Sequence, residues 1–454
     1  MKQYGLYING EWRKSNSGET FETRNPTTGE ILATFPKGTR EDVVKAIDAA
    51  EKAFPEWRKY PAPKRGEIIL KAGAILRERK EELGETTPSE LPNKLCMTVR
   101  QPIGVIGAIT PWNFPVAIPS WKIGAALISG NTIVFKPVTL TPLCASTLVE
   151  TFEQAGLPAG VLNFVTGPAE AVGKEIVEDP RIKAISFTGG VTAGRDIYSR
   201  SAKLLKRVEL ELGGKNPQII MDDANIDLAI EGVLFGAFGT AGQRCSATSR
   251  LIVHEKVYAE TMKKLLSWTK GLSIGNPLDP AVDVGPVSSQ EQEEKILNYI
   301  KIGVEQGAKL LCGGRKLTGG EYDKGFFIEP TIFEAQHGMR ITREEIFGPV
   351  LCVMKARDYE EAMKIANDVD YGLVSSIYTK NVNTAFRAVE DFEAGVTYVN
   401  APTIGAEVHL PWGGVKNSGA GGREAGTAAI EEFTEIKTVF IDYSDKLQKA
   451  QIQE

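Results

Sequence analysis

The chain has 454 residues, 42% of them apolar and 24% charged, with a formal net charge of −5. That length exceeds what one hydrophobic core usually supports, so two or more domains are expected. A mild negative charge without long runs excludes a basic face for nucleic acid or for an acidic membrane surface, which leaves small molecules as the expected partners. Five cysteines (Cys96, Cys144, Cys245, Cys312 and Cys352) with no Cys-x-x-Cys pair do not make a disulfide framework. The N-terminus lacks the apolar core of a signal peptide and no run of about 18 apolar residues marks a membrane span, so a cytoplasmic home is expected. The three histidines, His254, His337 and His409, share no metal-like spacing, and no metal site is expected.

A helical pattern runs from Arg65 to Gly84 and passes almost at once into Thr86-Thr-Pro-Ser-Glu-Leu-Pro-Asn93 and Thr98-Val-Arg-Gln-Pro102. From there, strand-like apolar runs alternate with helical patterns, the mark of an α/β fold. Thr132-Ile-Val-Phe-Lys136 reads as a strand, Thr141 to Ala155 as a helix opened by Thr141-Pro142, and Val161-Leu-Asn-Phe-Val165 as the next strand, entered through Gly156-Leu-Pro-Ala-Gly160. Lys183-Ala-Ile-Ser-Phe-Thr188 is a strand whose end runs into Gly189-Gly190 and a helix beginning near Thr192. Dinucleotides bind at such strand ends, over helix N-termini whose dipole favours phosphate. The Gly-x-Gly-x-x-Gly fingerprint is absent, and Gly189-Gly-Val-Thr-Ala-Gly194 stands in its place; by itself it is only a tight turn with helix entry. Val353 to Tyr378 carries strand, helix and strand patterns around Tyr359 to Asn367. Val396-Thr-Tyr-Val-Asn400 ends a further strand, Ser418-Gly-Ala-Gly-Gly-Arg-Glu424 is glycine-rich enough to be a loop, and Thr438 to Asp442 reads as a last strand.

Two segments carry chemistry. Glu211-Leu-Gly-Gly-Lys-Asn-Pro217 offers a carboxylate base, and Gly242-Gln-Arg-Cys245 a thiol nucleophile, each flanked by glycines that let backbone N–H groups and a flat ligand approach closely. From spacing alone, Cys245 as an ordinary buried cysteine and Glu211 as a helix-end carboxylate account for these residues equally well. A Cys-His hydrolase would need a histidine beside Cys245, and nothing local favours one.

Six motifs in order, Thr110-Pro-Trp-Asn-Phe-Pro115, Gly130 to Pro137, Ser186-Phe-Thr-Gly-Gly190, Glu211 to Pro217, Gly242 to Cys245 and Glu344-Glu-Ile-Phe-Gly-Pro349, together resemble the aldehyde dehydrogenase superfamily. The resemblance implies an α/β fold with a variant Rossmann cofactor domain (1–85 and 104–213), an α/β catalytic domain (214–425) and a small β oligomerisation arm (86–103 and 430–445). Thr438 to Asp442 with Thr98 to Ile106 resembles that arm, so a homodimer or homotetramer is expected. The resemblance implies Cys245 as nucleophile, Glu211 as the base that activates water, the Asn113 amide and the Cys245 backbone N–H as oxyanion donors, and Lys122 with Glu424 as a proton route outward. It places the cofactor diphosphate at Gly189, Gly190 and Gly194, Lys136 at the adenosine ribose and Glu345 and Phe347 at the nicotinamide ribose. Thr110, Pro111, Trp112, Gly167 and Leu212 complete the implied cofactor site. The base also separates this chain from relatives that pass the acyl group to coenzyme A, where water would compete for the thioester.

Two positions depart from the family pattern. Many NAD-using members carry Glu where this chain has Thr139; a hydroxyl there tolerates a 2′-phosphate that a carboxylate would repel, so the expected cofactor is NADP or NAD with a lean to NADP. The second departure is the missing helical stretch after residue 84, for which an omission from the numbering is expected ahead of a true deletion, since losing packed helices would expose core surface. Asn400 to Leu410 resembles semialdehyde-type members, including those acting on 2-oxoglutarate semialdehyde; a simple aliphatic or aromatic aldehyde is the competing substrate. A protein that kept the fold and lost turnover is the competing class, against which the intact Asn113, Glu211 and Cys245 weigh.

Overall fold

Two largely parallel sheets, each fed by helices from both faces, carry the chain in the computed structural model, which describes residues 2–72, 84–88 and 93–448. The first sheet runs in the order Gly419–Ala420, Arg207–Glu211, Ile182–Thr188, Val105–Thr110, Thr132–Pro137, Leu162–Phe164, Leu6–Ile8 and Glu11–Arg13. Its five central strands, from Arg207–Glu211 to Leu162–Phe164, are mutually parallel, and the flanking strands at both sides are antiparallel. The residues of Thr132–Pro137 are buried throughout, as they must be where helices cover both faces of a parallel sheet. This is why Thr132-Ile-Val-Phe reads as an unbroken apolar run. The antiparallel Leu6–Ile8 and Glu11–Arg13 are joined by Asn9 and Gly10 at φ 54° and 79°, the left-handed pair that a two-residue hairpin turn requires.

The second sheet has the order Lys309–Cys312, Thr331–Glu334, Val350–Ala356, Thr248–His254, Asn216–Ile220, Val374–Tyr378 and Val396–Val399, parallel except at the Lys309–Cys312 edge. A third, three-stranded antiparallel sheet joins Thr434–Asp442 to Lys94–Pro102, which pairs in turn with Gly84–Pro88. The expected strand Thr98 to Ile106 is therefore two elements. Lys94–Pro102 lies in this small sheet, and after Ile103-Gly104 the chain enters the first large sheet at Val105. Gly104, at φ 138°, makes that change of direction. The helical pattern read from Arg65 to Gly84 is a helix over Ala62–Ala72; Gly84 opens a strand, and residues 73–83 lie outside the described residues. The 454 residues are continuous, so the shortfall after residue 84 belongs to the chain and not to its numbering.

The chain passes from the first large sheet to the second after Glu211 and returns to the first at Gly419–Ala420. Arg207–Glu211 ends in the first sheet, Leu212-Gly213-Gly214-Lys215 crosses, and Asn216 begins the second. Arg250 is fully buried beneath this crossing, and its guanidinium donates at 2.8 Å to each of the carbonyls of Lys215, Ile365 and Ala366. Each acceptor left unpaired in the interior costs about 1–3 kcal/mol. Arg250→Met, which keeps length and loses all three donors, is expected to destabilise the fold by about 3 kcal/mol or more. A denaturant midpoint close to that of the wild type would contradict this.

Candidate active site

Strand ends assemble the site. Thr110, Lys136, Thr188 and Glu211 all stand at or next to the carboxyl ends of parallel neighbours in the first sheet, where a crevice opens. A cavity of about 370 Å³ lies there, a volume within the usual range for a small-molecule site. Thr110, Pro111, Trp112, Asn113, Lys136, Gly189, Gly190 and Leu212 from the first half of the chain line it, and Cys245, Glu345 and Phe347 from the second half close it. Of the other expected cofactor residues, Thr139, Gly167 and Gly194 are not among the lining residues. Gly194 instead lets the helix Val191–Ala202 approach Leu212, whose Cδ2 would lie 2.6 Å from an added Cβ. Gly167, at φ 151°, packs against Gly38 and Val172.

The Cys245 loop is held from several sides. The Asn216 side-chain amide donates to the Cys245 carbonyl at 2.7 Å and to the Ala247 carbonyl at 2.9 Å, while its oxygen accepts from Val374 N–H at 3.1 Å. Gly214 leaves room for this, since a Cβ there would meet the Cys245 carbonyl at 2.4 Å. Burial pushes the Cys245 thiol up to about 12, with Glu345, Glu211 and Glu424 adding to the effect and the Ser246 N–H opposing it. The resting thiol is therefore neutral, and attack requires a base to take its proton.

The cavity fits a dinucleotide by its own chemistry. The buried Lys136 ammonium donates only to the Pro137 carbonyl at 3.0 Å, has no ion pair among the described residues, and is lowered by burial to about 8. The Thr110 hydroxyl is buried without a hydrogen-bond partner. Gly190 caps the N-terminus of the 12-residue helix Val191–Ala202, and the space around its Cα is open. Glu345 accepts from Gly214 N–H at 3.0 Å, and Phe347 meets Trp112 edge-on with ring centroids 5.3 Å apart. Phe347 holds φ 63°, a strained value for a non-glycine, and its carbonyl accepts from Gln292 at 2.7 Å. Gln292 and its neighbour Lys295 also line the cavity; they come from a helix outside every motif, so no sequence signal pointed to them.

Glu211, Lys122 and Glu424 form a second, buried cluster that meets the cavity at Thr188, whose hydroxyl donates to Glu424 Oε1 at 3.4 Å. Lys122 Nζ donates to Glu424, to Ser186 Oγ at 2.8 Å and to Glu209 Oε2 at 3.2 Å. Glu209 was not anticipated. It stands two residues before Glu211 on one strand, and that period alone places both carboxylates on the same face. Burial draws the Lys122 ammonium down, but Glu209, Glu424 and Glu211 outweigh it and hold it above its ordinary value. Burial raises Glu211 well above the usual carboxylate range, aided by Glu424 and Glu209 and opposed by Lys122 and Arg423, and one of its oxygens has no hydrogen-bond partner. Burial likewise raises Glu424 to about 8, against the pull of Lys122. One lysine cannot neutralise three buried carboxylates, so the cluster stores a proton at neutral pH.

The comparisons with known proteins agree with this geometry. The aldehyde dehydrogenase family model matches residues 12–91 and 83–439. The chain belongs to the aldehyde dehydrogenase family. It is 40% identical to the α-ketoglutaric semialdehyde dehydrogenase of Bacillus subtilis (strain 168), covering 96% of this chain and 98% of that protein. It is 41% identical to the 2,5-dioxopentanoate dehydrogenase of Saccharolobus solfataricus, covering 97% and 99%. Among solved structures, betaine aldehyde dehydrogenase from Staphylococcus aureus in complex with NAD+ superimposes with a TM-score of 0.94 at 32% identity, covering 99% of this chain and 97% of that one. The two family segments overlap at 83–91, and the Bacillus alignment runs over 477 positions, so the relatives carry residues that this chain lacks. The protein is an aldehyde dehydrogenase that uses a nicotinamide dinucleotide, and no helix among its described residues is long and apolar enough to cross a membrane.

The proton held by Glu424 has a consequence for stability. Its carboxyl ionises at about 8 when folded and at about 4.3 when unfolded, so the folded state binds a proton that the unfolded state has released. The stability this contributes is full below the unfolded value and is lost as pH rises through 8. Glu424→Gln removes that loss, so the melting temperature of the variant relative to wild type is expected to rise between pH 5 and pH 8. A constant or shrinking difference would contradict the buried neutral carboxyl.

Proposed function

We propose that the chain oxidises a semialdehyde to the carboxylic acid through a covalent intermediate on Cys245, with NADP used in preference to NAD. The observation that carries this reading is the convergence of Cys245 and Asn113 on the cavity that also holds Lys136, Glu345 and Phe347. The Cys245 thiol loses its proton to water, and the sulfur adds to the aldehyde carbon. The Asn113 amide and the Cys245 N–H hold the oxyanion. A nicotinamide dinucleotide held by Lys136, Glu345 and Phe347 would supply the hydride acceptor, and loss of hydride from that carbon leaves a thioester on Cys245. Glu211, raised by burial and so a strong base once ionised, then takes a proton from water as the thioester is hydrolysed, and Glu424 and Lys122 pass the proton outward. The semialdehyde is supported by the likeness to the Bacillus and Saccharolobus enzymes and by the segment Asn400 to Leu410.

For the cofactor, the argument is electrostatic. Thr139 carries no charge to repel a 2′-phosphate, and the nearby Lys136 ammonium lacks an anionic partner among the described residues. Residues 1–85 and 104–213 bind the dinucleotide, 214–425 carry the nucleophile, and 86–103 with 430–445 form an arm for a homodimer or homotetramer in the cytoplasm, although the strand Gly419–Ala420 within 214–425 lies in the first sheet. The boundary at 85 falls inside the strand Gly84–Pro88. Thr434–Asp442 is a nine-residue edge strand with Ile436 and Phe440 exposed, which needs a partner to cover it.

Cys245→Ser is expected to abolish turnover while cofactor binding persists, because an alcohol of ordinary acidity is a poor nucleophile; a substantial residual rate would remove Cys245 from the role. Thr139→Glu is expected to shift the ratio of kcat/KM from NADP towards NAD. An unchanged ratio, or a wild type that strongly prefers NAD, would defeat the NADP reading.

A further inference from the structure

Beside the nucleophile stands a cation without a counter-charge. Arg244 directly precedes Cys245, its side chain is half-buried, and among the described residues it makes no ion pair. Surface arginines such as Arg200, Arg340 and Arg387 all have carboxylate partners. The Arg244 guanidinium is instead held by neutral groups. Its Nε and Nη2 both donate to the Thr240 hydroxyl, at 2.9 and 2.6 Å, and its Cζ lies 5.7 Å from the ring centre of Phe114 and 5.4 Å from that of Phe235. Phe114 in turn follows Asn113, the oxyanion amide of the proposed reaction. Burial lowers the guanidinium, and the group that opposes this effect is Cys245 itself.

The anchor is built at a cost. Thr240 and Ala241 hold φ 57° and 51°, left-handed values that are strained for non-glycine residues. That turn presents the Thr240 hydroxyl to Arg244. A guanidinium has five N–H donors in one plane, and two of them go to Thr240, so three remain for an incoming anion. Two aromatic contacts fix the plane, and a carboxylate meets such a fork through two parallel hydrogen bonds.

We propose that Arg244 binds the far carboxylate of an ω-carboxylated aldehyde whose carbonyl carbon lies at Cys245. The proposal rests on the semialdehyde reading above and names the residue that enforces it. A short aliphatic chain bridges the two groups, with the aldehyde at the Cys245 thiol and the Asn113 amide and the carboxylate against the guanidinium. An uncharged aldehyde of the same length would leave the cation unpaired.

The test compares kcat/KM for glutarate semialdehyde and for pentanal, which share a chain length and differ in the carboxylate, in wild type, Arg244→Gln and Arg244→Lys. Melting temperature and cofactor binding report folding. Wild type is expected to favour the semialdehyde. Arg244→Gln should lower that preference about tenfold to a hundredfold, as the loss of a charge-assisted hydrogen bond does, and the change should fall on KM more than on kcat. Arg244→Lys, which keeps the charge and loses the fork, should give an intermediate ratio, and it serves alone if the glutamine variant fails to fold. A wild type that favours the semialdehyde, with an unchanged ratio in either folded variant, would overturn the role of Arg244 and leave the semialdehyde reading standing. A wild type with no preference would overturn both.

Discussion

Everything at the site depends on the crossing from Glu211 to Asn216. The residue that ends a strand of one sheet and the residue that begins a strand of the other are five positions apart. Glu211 sends a carboxyl into the buried cluster, and Asn216 grips the carbonyl of Cys245 at 2.7 Å. The two glycines between them are a steric requirement. A Cβ on Gly213 would enter the Glu345 carboxyl at 2.3 Å, and one on Gly214 the Cys245 carbonyl at 2.4 Å. The crossing therefore ties the strand that carries Glu211 to the loop that carries Cys245 through covalent geometry and one side-chain amide. Arg250, bonded to the Lys215 carbonyl, holds it from below.

Charge is distributed unevenly around this crossing, and the imbalance is useful. On the cavity side, Lys136 is a buried cation with no anionic partner among the described residues, ready for ribose or phosphate oxygens. On the other side, Glu209, Glu211 and Glu424 surround Lys122, with Arg423 also acting on Glu211, and the surplus of acid keeps protons bound that a solvated carboxylate would lose. The raised Glu211 carboxyl is, once ionised, a stronger base towards water than a solvated carboxylate.

Much of this was legible in the sequence, for reasons that differ by residue. Thr132 to Lys136 was readable because a strand covered on both faces is nearly apolar throughout, and Val396 to Val399, a half-buried edge strand, because its residues are β-branched or aromatic. The helix read from Thr141 to Ala155 is found over Pro142–Gln154, where a proline at its start signals entry. The Ile103-Gly104 break was missed, because β propensity continues across it and only the left-handed φ of Gly104 marks the turn. Glu209 was missed although strand period gave its direction, since burial of a third carboxylate is a tertiary fact. Gln292 and Lys295 arrive from a distant helix, and no local pattern predicts which face of it meets the cavity. Arg244 was visible as a residue but not as a cation in the site, because the rings that frame it, Phe114 and Phe235, are 130 and 9 residues away in sequence.

The measurement that tests the two-stage account most directly is a single-turnover experiment on Glu211→Gln. That substitution keeps size and removes the proton-accepting oxygen, so acylation of Cys245 should outlast hydrolysis of the thioester. With aldehyde and excess cofactor, the account predicts a burst of up to about one reduced nicotinamide per site, then very slow turnover, and an acyl adduct on Cys245 in the mass spectrum of the quenched mixture. A folded variant with neither burst nor adduct would contradict it, by placing the need for Glu211 before the sulfur has attacked.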